Sequence, residues 1–230
     1  KPEYVYHVLQ KNAKNYHKSA NYEGLRPMLG NGLLTNEDAS WFSQRRLMQP
    51  AFHKEPLAKM IGIMAQRTQE ALDKWETEFS GQFFDLGHEM RMIASDIVTR
   101  ALFGTDADDK ADAVGEHLKV LLKYANEKIV NPFRLGLGVP TAENKKIKAS
   151  IADLDEIIHN IIANRREHKG EPKHDLLEML LNAQDADTGE RMNDRQLRDE
   201  LMTLYLAGQE TTQHALTFAF YLLGKAPDVC

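Results

Sequence analysis

A single cysteine, Cys230, stands at the last of 230 positions. No internal disulfide framework can form, and a reducing, cytoplasmic setting is expected. Basic residues are not in excess. Lys and Arg number 29 against 34 Asp and Glu, for a net charge of −5, which argues against a nucleic-acid partner. No apolar run reaches the roughly 18 residues needed to span a bilayer, and no secretory signal opens the chain. Repeats of 20–50 residues are absent, as is any low-complexity segment. Strand–helix alternation is missing too, which excludes a doubly wound parallel sheet. The chain starts at Lys1-Pro2-Glu3 without an initiator methionine, and Pro227 opens a helical turn that does not develop. The 230 residues are therefore expected to be one incomplete domain, internal to a longer protein.

What is present is helical periodicity. Apolar residues make up 42% of the chain, enough for a core. Residues 2–10 place Tyr4, Val5, Val8 and Leu9 at helical spacing, and 22–34, with three glycines and a proline, suggests a short helix plus loop. Asp38 is expected to cap a helix over 38–52. Further helices are expected over 56–79, 85–103, 110–129, 141–168 and 176–182. One short strand or extended segment is expected at 81–86, and a turn at 185–194. The last helix, 193–225, would be roughly 48 Å long at 1.5 Å per residue, long enough to cross a domain. The fold class is mainly α.

That last helix breaks local rules in one place. In "LYLAGQETTQHALTFAF" (204–220), Gly208, Glu210, Thr211 and Thr212 interrupt an apolar sequence. A helical glycine costs about 1 kcal/mol relative to alanine, and a buried glutamate costs more without partners. The Thr211 hydroxyl can compete for the Ala207 carbonyl and open the helix. Gly208 would let a flat ligand approach the backbone, and Glu210 could relay protons from solvent. A close helix crossing at Gly208 explains the same residues without a ligand. A second pattern, "WFSQRR", sets Trp41 and Arg45 at i, i+4 on one helix face. Both are pure donors suited to a carboxylate or phosphate; cation–π stacking of Arg45 on Trp41 is the structural alternative.

Together, "GLLTNEDASWFSQRRLMQPAF" (32–52) and "AGQETT" (207–212) resemble the Trp-x-x-x-Arg helix and the oxygen-activation signature of the cytochrome P450 haem-thiolate monooxygenases. The stretch 131–166 is similar to the family's segment between those motifs, so the resemblance covers essentially the whole chain. It implies a partial P450 fold, the helices lettered B to I. It also implies a haem cofactor, dioxygen, an electron-donor protein or reductase domain, and a small apolar substrate, fatty-acid-like or terpenoid-like. Trp41 and Arg45 would bind a haem propionate. Thr211 would hydrogen-bond dioxygen or its water network, Glu210 would deliver protons, and Ala207 and Gly208 would line the haem face. The family often has an Asp-Gly pair before the Trp, where this chain reads "NEDASW". The family's cysteine-ligand motif has no counterpart here, and Cys230 does not fit it, so these residues supply no metal ligand. The chain alone is expected to be inactive. Pro132, Phe133, Leu135 and Leu137 suggest an apolar entrance.

Glu-x-x-His at Glu156/His159 and Glu171/His174 hints at a di-iron bundle. Glu156, however, points nearly opposite its helix's apolar face, and His174 follows Pro172 in a loop. The alternative function is a non-enzymatic, all-helical ligand-binding or regulatory module, with the helix face at Gly208 and Thr211 as its effector pocket.

Overall fold

In a computed structural model, residues 1–104, 111–131, 133–167 and 175–229 are described. His174, Pro132 and Cys230 lie outside them. Among the described residues there is no sheet. One isolated antiparallel bridge joins Gln184 and Arg191, and 83–85 is extended without a strand partner.

The described helices follow the apolar periodicity closely. They are α1 (Pro2–Tyr6), α2 (Arg26–Leu29), α3 (Asp38–Met48), α4 (Lys54–Glu78), α5 (Leu86–Phe103), α6 (Ala111–Val130), α7 (Ala142–Glu167), α8 (Leu176–Asn182) and α9 (Asp194–Lys225). The starts of α5, α7 and α9 are set by side-chain caps. Asp85 accepts from His88 N–H (3.0 Å), Thr141 from Asn144 N–H (3.1 Å) and Asn193 from Gln196 N–H (2.9 Å). Each satisfies a donor that the first helical turn leaves open.

Two local expectations are corrected. The 2–10 helix tightens and loosens: α1 passes into a π-helix at His7–Lys11. Asp38 does not cap α3. Glu37 is the N-cap, and no side chain bonds the first turn. Asp38 instead takes φ 56°, a left-handed conformation that aspartate tolerates better than most residues. The helix also ends at Met48 and continues as a 3-10 turn over Gln49–Phe52, because Pro50 cannot donate a backbone N–H to the α pattern.

The core gathers on α9, whose most extensive packing is against α5. Tyr205 OH and Ser95 Oγ share a hydrogen bond of 2.8 Å, and Gln213 Nε2 donates to the Gly87 carbonyl. The two helices therefore run antiparallel. Leu197, Leu201 and Tyr205 are buried, with Leu118, Leu154 and Leu177 closing around them from α6, α7 and α8. Beyond residue 210 the helix emerges from this core. Phe218 is 63% exposed and Leu222 61%. No described helix is long and apolar enough to cross a membrane.

Candidate functional site

The α3 motif is held from two sides. Trp41 is half-buried and its Nε1–H donates to the Leu33 carbonyl (3.1 Å). The Arg45 guanidinium lies 5.2 Å from the centre of the Trp41 ring, a cation–π placement that leaves its N–H groups free for an anion. The neighbouring arginine has a different task. Arg46 pairs with Asp185 (2.5 Å) and Asp187 (2.8 Å). The Thr188 N–H, then the Asp187 N–H and Arg46, hold the Asp185 carboxyl below the usual carboxylate range, against the opposing effect of burial. Among the described residues no carboxylate pairs with Arg45. It borders an open cavity of about 1070 Å³ shared with Trp41 and Phe42.

In α9 the motif residues separate by face. Ala207, Thr211, Phe218 and Leu222 form an exposed strip at i, i+4, i+11 and i+15. The Thr211 hydroxyl donates to the Ala207 carbonyl (2.6 Å), the pairing that its spacing allowed. The helix does not open there: residues 194–225 are α-helical without a break. Thr203 and Thr217 make the same i−4 bond, each at 2.8 Å. Gly208, three residues before Thr211, lies about 60° from it around the helix, on the side that meets α5. A Cβ there would come 2.8 Å from Val98 Cγ2 of α5, so in this structure its lack of a side chain serves the α5–α9 crossing. Glu210, one residue before Thr211, borders a cleft of about 650 Å³ between α5, α6 and α9, with His88, Arg91 and Lys119. Its carboxylate is 3.9 Å from His214 Nε2. The acid and the hydroxyl are thus neighbours in sequence and about 100° apart around the helix.

Sequence reasoning missed the loop that ties these motifs together. Residues 30–33 lie directly on α9. Asn31 N–H donates to Asp199 Oδ2 (2.8 Å) and Leu33 N–H to Glu200 Oε2 (2.9 Å). The approach is so close that a Cβ on Gly30 would strike the Asp199 carboxylate, and one on Gly32 would meet Thr203 Oγ1 and, at 2.6 Å, the Asp199 carbonyl. Glu200 is fully buried. Its second oxygen, Oε1, has no partner, and burial pushes its carboxyl up to about 7. Two adjacent acids, Asp199 and Glu200, directly before the apolar run of α9, and the Gly-Asn-Gly of the loop, were the available sequence signals. Trp41 is thereby joined through Leu33 to Glu200, which lies 11 residues, about 16 Å, before Thr211 along the helix axis.

The di-iron reading finds no support here. Glu156 is exposed, the His159 ring bonds the Asp155 carbonyl, and no cluster of metal-ligating side chains exists among the described residues. Of the apolar 132–137 stretch, Phe133 is 93% exposed and Leu135 56%, while Leu137 packs on the core.

An all-α scaffold on one 32-residue helix, with an indole and a guanidinium grouped on a second helix, defines a helical cofactor- or ligand-binding protein. The cytochrome P450 family model matches residues 1–230, and the chain belongs to the cytochrome P450 family. It is 36% identical over 228 residues to cyclooctatin synthase of Streptomyces melanosporofaciens, covering 98% of this chain and 49% of that protein. It is 31% identical over 229 residues to cyclooctat-9-en-7-ol 5-monooxygenase of the same organism, covering 99% and 49%. The crystal structure of a cytochrome P450DA mutant heme domain superposes with a TM-score of 0.83 at 28% identity, over 100% of this chain and 50% of that one. The chain thus spans about half the length of the curated relatives it matches.

Proteins of this family bind haem. The residues present fit one side of that cofactor: among the described residues Arg45 is a cation without a carboxylate, beside an open cavity, and the Ala207–Thr211 strip is small and open.

Proposed function

We propose that this chain forms the oxygen-activation and propionate-binding part of a haem-thiolate monooxygenase that, as a complete polypeptide, inserts one oxygen atom into an apolar organic substrate. The observation that carries the reading is Thr211. Its hydroxyl sits in an open apolar strip, one residue from an acid that faces a separate polar cleft. Haem, when bound, supplies a redox-active iron for dioxygen chemistry. Arg45, steadied on the Trp41 ring, offers parallel N–H donors to a propionate. The Trp41 N–H keeps the Leu33 carbonyl as its acceptor and shares its proton with that carboxylate in a three-centre bond. The Thr211 hydroxyl donates to Ala207, which leaves its oxygen to accept from water over the strip. Glu210 and His214 exchange protons between the cleft and that water. Electrons come from a donor protein or reductase domain. The relatives named for cyclooctatin and cyclooctat-9-en-7-ol favour a terpenoid-like over a fatty-acid-like substrate.

Thr211→Ala in the complete enzyme is expected to lower product formed per electron consumed by about 10- to 100-fold, as loss of a positioned proton-transfer group implies. Substrate-dependent NADPH consumption against product yield measures this, and unchanged coupling would reject the role. Arg45→Ala is expected to weaken haem binding by roughly 10- to 100-fold, the equivalent of a lost charged hydrogen bond. Haem titration of the apoprotein reads this directly, and wild-type affinity would refute the propionate assignment.

A further inference from the structure

We propose that Glu200, with Asp199, is a positioning residue for Trp41 and Arg45, acting through the peptide groups of residues 31–33. The proposal rests on the reading of Trp41 and Arg45 as propionate donors.

The loop peptides lie between two helices and are bonded from both ends. On the α9 side, Asp199 accepts the Asn31 N–H and Glu200 the Leu33 N–H. On the α3 side, the carbonyls of the same two residues accept from side chains. Gln44 Nε2 donates to the Asn31 carbonyl (3.0 Å), and Trp41 Nε1 donates to the Leu33 carbonyl. Two chains therefore run in parallel, one from Asp199 through Asn31 to Gln44 and one from Glu200 through Leu33 to Trp41. The N–H and the carbonyl of one residue belong to successive peptide planes that share its Cα, so a carboxylate that fixes the N–H also fixes where the carbonyl points. Lys18 Nζ adds a second donor to the Leu33 carbonyl (3.0 Å), and Asn36 Nδ2 holds Gln44 Oε1 (2.6 Å).

The arrangement is costly for stability alone. Glu200 is fully buried and one of its oxygens is unpartnered; an apolar side chain of similar size would avoid that desolvation. What the glutamate supplies is an acceptor for one defined N–H, that of Leu33. The glycines at 30 and 32 let the loop sit hard against α9, with no space for a Cβ between them. Arg198, bonded to Asp155 Oδ1 (2.6 Å) and Asp199 Oδ1 (3.0 Å), fixes the α9 end of the first chain. The indole is thus given a set height and direction relative to α9, the helix that carries Thr211.

The test uses the complete polypeptide with ¹⁵N-indole-labelled tryptophan. The Trp41 Nε1–H resonance is assigned by its loss in Trp41→Phe. Trp75, whose indole donates to Glu89 Oε2 (2.8 Å), serves as the internal control. In Glu200→Leu, exchange of the Trp41 indole proton in the haem-free protein is expected to accelerate roughly tenfold, the size of one lost net hydrogen bond, with Trp75 unchanged. Haem affinity should fall by a similar factor. Glu200→Gln retains an acceptor for the Leu33 N–H and should restore both readouts. Should the leucine variant not fold, Glu200→Asp, one methylene short of Leu33, is expected to shift the Trp41 resonance and speed its exchange. Unchanged Trp41 exchange, or equal acceleration at Trp41 and Trp75, overturns the positioning role. Accelerated Trp41 exchange with haem affinity unchanged, both in Glu200→Leu and in Arg45→Ala, leaves the positioning of the indole in place and overturns the propionate reading instead.

Discussion

Asp175→Ala is expected to remove about 3 kcal/mol of folding stability, the low end of the cost of breaking a buried ion pair, because the Glu178 carboxylate remains 3.5 Å from Arg165. Asp175 is 3% exposed and Arg165 8%. Their contact is bidentate, at 2.8 and 2.7 Å, the geometry in which a guanidinium and a carboxylate match best. The same aspartate starts α8 by accepting the Glu178 N–H (2.9 Å), and the same arginine reaches the Phe103 carbonyl at the end of α5 (3.0 Å). Gly104 follows at φ 63°, and a Cβ there would come 2.8 Å from Asp175 Oδ2. Three helix ends, those of α5, α7 and α8, therefore meet on one ion pair. Loss of the cap adds about 1 kcal/mol. Urea unfolding of the variant against the parent chain measures the effect, and a difference below about 1 kcal/mol would show that Glu178 takes over the role of Asp175. Replacing both partners together with apolar residues should cost far less than the single change, because no charge is then left buried.

Glu200 should make stability fall as pH rises. Its carboxyl is raised from 4.5 to about 7, by burial first and then by the neighbouring Asp199 charge, against the opposing Leu33 N–H and Lys18. Between those two values the unfolded chain has released a proton that the folded chain still holds. The folded state binds more protons there, so its stability declines through the window, and the loss is complete above about pH 7. The shift corresponds to about 3 kcal/mol. Glu200→Gln carries no ionisable group at this position. Its stability relative to the parent should therefore improve by about 3 kcal/mol between pH 4 and pH 8, whatever offset the amide itself introduces. Unfolding free energies of both proteins at the two pH values decide the matter. A difference that stays constant with pH would place the titrating group elsewhere. Most paired carboxylates behave in the opposite sense, with stability lost in acid, so the sign separates Glu200 from Asp185, whose carboxyl is held down.

The helices were legible because their signals are local. Asp85, Thr141 and Asn193 lie at the starts expected for them, each a short polar side chain just before an apolar periodic run. Asp38 looked equivalent and is not: it occupies a left-handed turn position, and its side chain does not reach a first-turn N–H. A capping side chain needs an extended backbone at its own residue, a property that residue type alone does not set.

The sequence by itself determined a mainly helical chain, one helix long enough to cross it, and the residue types that bear the chemistry: a guanidinium beside an indole, and an acid beside a hydroxyl. The Thr211 to Ala207 bond was legible as well, since i and i+4 are fixed by the helix. Only the tertiary structure decided which way these groups face. Gly208 meets Val98 across a helix crossing, Trp41 rests on Leu33, and Leu33 rests on Glu200. The last of these bonds spans 167 positions, and no local period encodes a partner at that separation. It is set by packing, which brings a glycine-containing loop onto a long helix because no Cβ stands in the way.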